Sequence, residues 1–287
     1  MQILLNGVAI GCIYALVSCG FVWVYAAVGA VNFAHGELVM VGAYLGVTAA
    51  VLLGWPPVAA LVSAVAAAAV LGLVFQRVAF VPVRARPPLT FIVVSIGMSI
   101  LLRNGALVLW GPDPVAPPDL LGGRMVRVGD TVVSAHQLLI VAVTVLVFAT
   151  QAVFFTRTRI GRRLQATAED AETARLMGID VARMIALTFA FSSALAALAG
   201  VLVAPVIFVS PDLGLFLILK AFIALVIGGF GSIPGTLVGG VLLGVLEVMT
   251  SAYVSSVYKD VVAFVVLVAM LLVLPRGLFG ERVGERA

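Results

Sequence analysis

Three side chains that could do chemistry crowd one short stretch. Residues 31–44 read VNFAHGELVMVGAY and place Asn32, His35 and Glu37 within six positions. No formal charge precedes Glu37, and none follows it until Arg77. An imidazole beside a carboxylate could begin a metal site, but HGELV lacks the second histidine that an HExxH zinc motif needs. In an apolar run the trio has two other uses. Asn32 and Gly36 suit an interrupted helix, whose freed backbone groups survive at membrane depth only when buried in protein or lining a cavity. The polar side chains then either brace that break or line a route, and the residues alone leave both open.

Other reactive groups are sparse. Arg103, Lys220 and Glu247 are the deepest ionisable residues in apolar segments, where an unpaired charge is expensive. Lys220 and Glu247 make a candidate pair, and Arg103 either meets an acid or snorkels to an interface. Cys12 and Cys19, seven apart on one helix face, read as small core residues rather than as a metal or redox pair. There is no GxxxxGK[ST] loop, CxxC or GxSxG, and the only lysines, Lys220 and Lys259, follow no glycine-rich turn. The chain is therefore not expected to catalyse a reaction or to bind nucleotide phosphates in the P-loop manner. No cofactor or metal is expected in it.

The elements that must position these groups are membrane spans. The 287 residues are 63% hydrophobic and 10% charged, with a mean hydropathy of +1.24; soluble domains average about 45–50% apolar and about 25% charged. Apolar segments fall near 3–30, 37–54, 57–76, 89–110, 136–156, 184–207, 214–231, 234–256 and 259–275. At roughly 20 residues per crossing, the expected fold is all-α: a polytopic transmembrane helical bundle of 8–9 segments, one domain over 1–287. The first run begins at Ile3 without a basic leader and reads as a span rather than a removed signal peptide.

The net charge of +4 is not a nucleic-acid footprint, because the basic residues sit in loops. Arg77, Arg84 and Arg86 mark one loop, six arginines between 157 and 183 a second, and Arg276, Arg282 and Arg286 the tail. The positive-inside rule puts all three, and hence the C-terminus, in the cytoplasm. The linker 111–135, with Asp113, Asp119 and Asp130 beside Arg124 and Arg127, then lies outside. Nine full crossings put the N-terminus outside; one segment that only dips would put it inside.

The loop 157–184 reads RTRIGRRLQATAEDAETARLMGIDVARM. Thr167 with Asp170 three later suggests a capping box. Ala168, Glu169 and Asp170 would open a helix over about 168–177, Arg175 would sit in its last turn, and Gly178 at C′. Such a helix is either a solvated connector or a docking element for a cytoplasmic partner. In 228–244, GGFGSIPGTLVGGVLLG, the pairs Gly231/Gly235, Gly235/Gly239 and Gly240/Gly244 have small-xxx-small spacing and predict tight helix packing. A broken helix at Pro234 is the alternative.

Five ordered motifs carry a resemblance. NFAHGELVMVGAY, the preceding LNGVAIGCIYALVSCGFVWVYAAVGAV, GRRLQATAEDAETARLMGID, GGFGSIPGTLVGG and LPRGLFG are similar, in order, to LivH-type permeases of bacterial branched-chain amino acid ABC importers. The resemblance implies a translocation subunit in the bacterial inner membrane. It implies pairing with a homologous LivM-type permease or a second copy of this chain. Two cytoplasmic ATPases would bind ATP, and an extracytoplasmic binding protein would deliver the cargo. The loop 157–184 would be the ATPase-coupling loop. Importers of urea or short-chain amides use similar permeases, so they are the alternative cargo class. A stand-alone secondary transporter or channel is the rival of a different class.

Overall fold

The computed structural model describes residues 2–117, 121–128 and 131–280. Asp119, Asp130, Arg282 and Arg286 lie outside the described residues. The apolar segments become helices in the order the sequence sets out. α1 (Gln2–Val28) leads through residues 29–34 into α2 (His35–Val47), which runs on as a π turn over Thr48–Leu52. Pro57 opens α3 (Pro57–Phe75) and Pro88 opens α4 (Pro88–Trp110), because a first helical residue needs no N–H partner. α5 (Ala135–Arg157), α6 (Arg159–Glu169), α7 (Ala171–Leu176), α8 (Val181–Val203), α9 (Leu213–Gly228), α10 (Ile233–Tyr253) and α11 (Lys259–Val273) follow.

Among the described residues, seven helical segments are long and apolar enough to cross a membrane. α9 has 16 residues and α11 has 15. The chain is thus a polytopic helical membrane protein, in which seven segments meet the length for a crossing and α9 and α11 are shorter apolar helices. It is not wholly α. In the stretch read as a plain linker, β1 (Met125–Val128) pairs antiparallel with β2 (Thr131–Ser134). Their β-branched residues favour a pleated pair over a coil.

Lipid is as apolar as leucine, so helix association in a bilayer rests on close packing rather than on hydrophobic transfer. α1 is the centre: 89% of its best membrane window is buried, against 11% for α4. α1 lies against α10 where a Cβ on Gly11 or Gly244 would strike the facing backbone. Gly235, Gly239 and Gly240 also pack against backbone, as the spacing predicts. Gly231 does not. Its φ of +87° places it in the turn before α10, with open space where a Cβ would go. Pro234 lies in the first turn of α10 and begins that helix rather than breaking it.

The bundle has two distinct ends. At one, α6 packs beneath α1, α5 and α8, and Ile233 joins the same cluster. The N–H groups of Leu278 and Phe279 bond the Ile227 and Gly228 carbonyls there. At the other, Val115 and Val209 form an isolated bridge, and the Trp110 ring stacks on Tyr44 while its N–H donates to Thr48.

Candidate functional site

The junction between α1 and α2, residues 29–34, is a turn that brings His35 back beside α1. Asn32 turns the chain by accepting the Ala34 N–H at 3.1 Å. His35, fully buried, spans two helices: Nε2 lies 3.0 Å from the Val17 carbonyl and Nδ1 3.2 Å from the Ser192 hydroxyl. A carbonyl only accepts, so Nε2 carries a proton. Both ring nitrogens are thereby used within the fold. Glu37 enters the first turn of α2, where the helix dipole favours an anion. Its Oε1 accepts the Ser99 hydroxyl at 3.0 Å, and its Oε2 is buried without a hydrogen-bond partner. The carboxylate fits only because Gly36 and Gly214 bring α2 against the start of α9; a Cβ on Gly214 would occupy the place of Oε2.

The intramembrane charges form the candidate pair and add partners that sequence reading missed. Lys220 pairs with Glu247, and its Nζ also lies 2.6 Å from Asp260. The Tyr14 hydroxyl donates to the other Glu247 oxygen at 2.7 Å. Four helices, α1, α9, α10 and α11, meet in this cluster. Arg103 pairs with Asp212, just ahead of α9. The one signal for Asp212 and Asp260 was their place at the head of apolar segments. Cys12 and Cys19 are buried free thiols, and the Cys19 thiol lies 3.2 Å from Gln151 Oε1. No group of three potential metal ligands occurs among the described residues.

The loop after α5 departs from the single helix expected over 168–177. The Thr158 hydroxyl caps α6 by accepting the Gly161 N–H at 3.0 Å. Gly161, Leu164 and Thr167 form the buried stripe of α6, and Leu164 packs with Trp23, Phe155 and Met184. Thr167 therefore lies inside a helix, its hydroxyl bonded to the Arg163 carbonyl. Ala168 and Glu169 end that helix rather than open the next. The break and the cap fall on Asp170, whose carboxylate accepts the Glu172 and Thr173 N–H groups and the Thr173 hydroxyl. Arg175 does sit in the last turn of α7. Gly178, at φ +80°, closes it as a Schellman motif: Ile179 N–H bonds Ala174 and Gly178 N–H bonds Arg175.

The surface of this loop is unusual. Leu176 and Met177 are 84% and 79% exposed at the tip of α7. Beside them a groove of about 840 Å³ runs between the end of α3 and α8, lined by Arg77, Arg84, Arg175 and Arg183.

An apolar helical bundle, with a short capped helix held beneath it, defines a polytopic membrane protein by class. The chain belongs to the family described as "Branched-chain amino acid transport system / permease component", which matches residues 3–271. It is 41% identical, over 98% of its length and 96% of that protein, to the high-affinity branched-chain amino acid transport system permease protein LivH of Escherichia coli (strain K12). It is 39% identical, at the same coverages, to the permease protein BraD of Pseudomonas aeruginosa. Among solved structures it shares the fold of a chain in PsaBC from Streptococcus pneumoniae in complex with Fab, with a TM-score of 0.53 and 14% identity over 97% of this chain and 92% of that one.

Proposed function

We propose that this chain is the translocation subunit of an ATP-driven importer that carries branched-chain amino acids across the bacterial inner membrane by alternating access. Residues 1–287 form one permease domain, and 157–184 is its coupling loop. α9 and α11 complete nine membrane segments. The α6–α7 end and the C-terminus face the cytoplasm, and the hairpin end faces a substrate-binding protein. A homologous LivM-type permease completes the pore, and two separate ATPase chains bind and hydrolyse ATP. Asn32 and His35 brace the turn between α1 and α2, since their partners lie within the fold.

One observation carries the coupling role: Leu176 and Met177, large and apolar, stand exposed at the end of α7, which follows directly on α6, the helix that Leu164 locks into the bundle. Exposed apolar groups rimmed by polar residues mark partner sites. A rigid link from that tip through α6 and the Asp180 cap of α8 would pass ATPase movement into the spans. The test is uptake of labelled leucine into vesicles holding the complete importer. ATP-dependent uptake is expected with wild type, and Leu176→Asp with Met177→Asp lowers it at least tenfold while the two permeases still co-purify. Uptake without any ATPase chain would refute the reading in favour of a channel or secondary transporter, and urea uptake alone would change its cargo.

A further inference from the structure

A polar track runs along α4, and no role described above uses it. α4 is the least buried of the seven long spans, yet Ser95, Ser99 and Arg103 recur every four residues and so share one face. Each engages a group at the start of α2 or α9. Ser95 accepts the Phe33 N–H at 3.1 Å, Ser99 donates to Glu37, and Arg103 pairs with Asp212. A cavity of about 360 Å³ opens on the ion pair, with Ile100, Leu107 and Pro211 among its walls; small-molecule sites begin near ~300 Å³. The Arg103 and Asp212 side chains are 43% and 70% exposed. Charged groups in a span line water or protein rather than hydrocarbon. One turn of α4 away, Glu37 Oε2 is buried with no donor. In the Lys220 cluster, by contrast, both Glu247 oxygens have a donor, Lys220 and Tyr14.

We infer that Glu37, Ser99, Arg103 and Asp212 form a contact site for a zwitterionic aliphatic amino acid on its way through the permease. The substrate carboxylate takes Arg103 from Asp212, Glu37 receives the ammonium group, and Ile100 and Leu107 flank the aliphatic side chain. This assignment rests on the importer reading above. Charge stays balanced through the exchange, because Asp212 turns to water as the substrate carboxylate replaces it. Without cargo, Asp212 holds the guanidinium in place.

The experiment uses the complete importer in vesicles. Glu37→Gln and Arg103→Gln each lower ATP-dependent leucine uptake at least tenfold, and Arg103→Lys restores part of it. Ile100→Cys reports occupancy directly: saturating leucine slows its modification by a water-soluble thiol reagent at least threefold, and Arg103→Gln in the same chain removes that protection. Uptake within twofold of wild type in either glutamine variant, or an Ile100→Cys rate indifferent to leucine, overturns the site. Should Glu37→Gln fail to assemble, the Ile100→Cys rate still decides. Absence of uptake by the wild-type importer overturns the importer reading instead, so the two failures are distinct.

Discussion

Lys220 holds two acids at once, and the arrangement sets its worth. Glu247 and Lys220 are buried, and Asp260 is half open. Replacing Lys220 by Met strands Glu247 beside Asp260 in a low-dielectric setting. Breaking a buried pair from one side costs about 3–5 kcal/mol, so Lys220→Met is expected to lower the melting temperature of the purified complex sharply. Lys220→Met with Glu247→Leu recovers part of the loss, because Asp260 can turn to water. An unchanged melting curve for the single variant would show that the cluster is not structural. The sequence marked Lys220 and Glu247 as anomalies and offered them as a pair. It could not bring in Tyr14, Asp260 or Asp212: those partners stand 233, 40 and 109 residues from the groups they meet, and apolar periodicity carries no information about which faces meet at such range. His35 teaches the same point. Its position where the first span gives way to the second was legible, while its two partners on α1 and α8 were not.

Local rules competed with packing at the scale of the helices. Thr167 and Asp170 have the spacing of a capping box, yet α6 runs through Thr167. The stripe Gly161, Leu164, Thr167 buries against Trp23 and Phe155, and that packing outweighs the cap. Gly178 was legible because a C′ glycine depends only on its own backbone. Asp170→Ala removes the acceptor of both capping N–H groups, at a cost of about 1 kcal/mol. Gly178→Ala forces a Cβ into a left-handed conformation, costing about 1–2 kcal/mol. Both changes should raise protease cleavage within 157–184 and leave the spans folded, read by limited proteolysis against a melting curve. Between α1 and α10 the effect is harsher. A side chain at Gly244 meets Gly11 backbone, which no rotamer relieves. Gly244→Val should abolish recovery of folded protein, whereas Gly97→Ala, facing open space, should be neutral or slightly stabilising.

At the scale of the whole molecule, the division of labour follows from where charge is placed. The buried centre is α1 and α2, and α3, α4 and α5 turn mostly apolar faces outward. Polytopic architecture was readable from hydropathy because the bilayer demands it of any such chain. The hairpin at 125–134 was not, since short strands leave a weak signal between long spans. The basic groove could be seen only when Arg77 and Arg84 from one loop met Arg175 and Arg183 from another. Within that groove Asp180 is already engaged by Arg183 at 2.9 Å, which leaves the arginines in excess. Such a surface beside the apolar Leu176–Met177 tip suits a partner that offers an acidic rim around an apolar socket. Affinity for the ATPase chains should therefore have two separable parts. The electrostatic part fades as salt shortens the screening length from about 10 Å at 0.1 M toward about 3 Å at 1 M; the apolar part persists. Arg84→Glu with Arg183→Glu should weaken ATPase binding at least tenfold at low salt and little at high salt, while Leu176→Asp should weaken it at both. Equilibrium binding across a salt series decides between them. A charge reversal without effect at low salt would leave the apolar tip as the sole contact and assign the groove to anionic lipid.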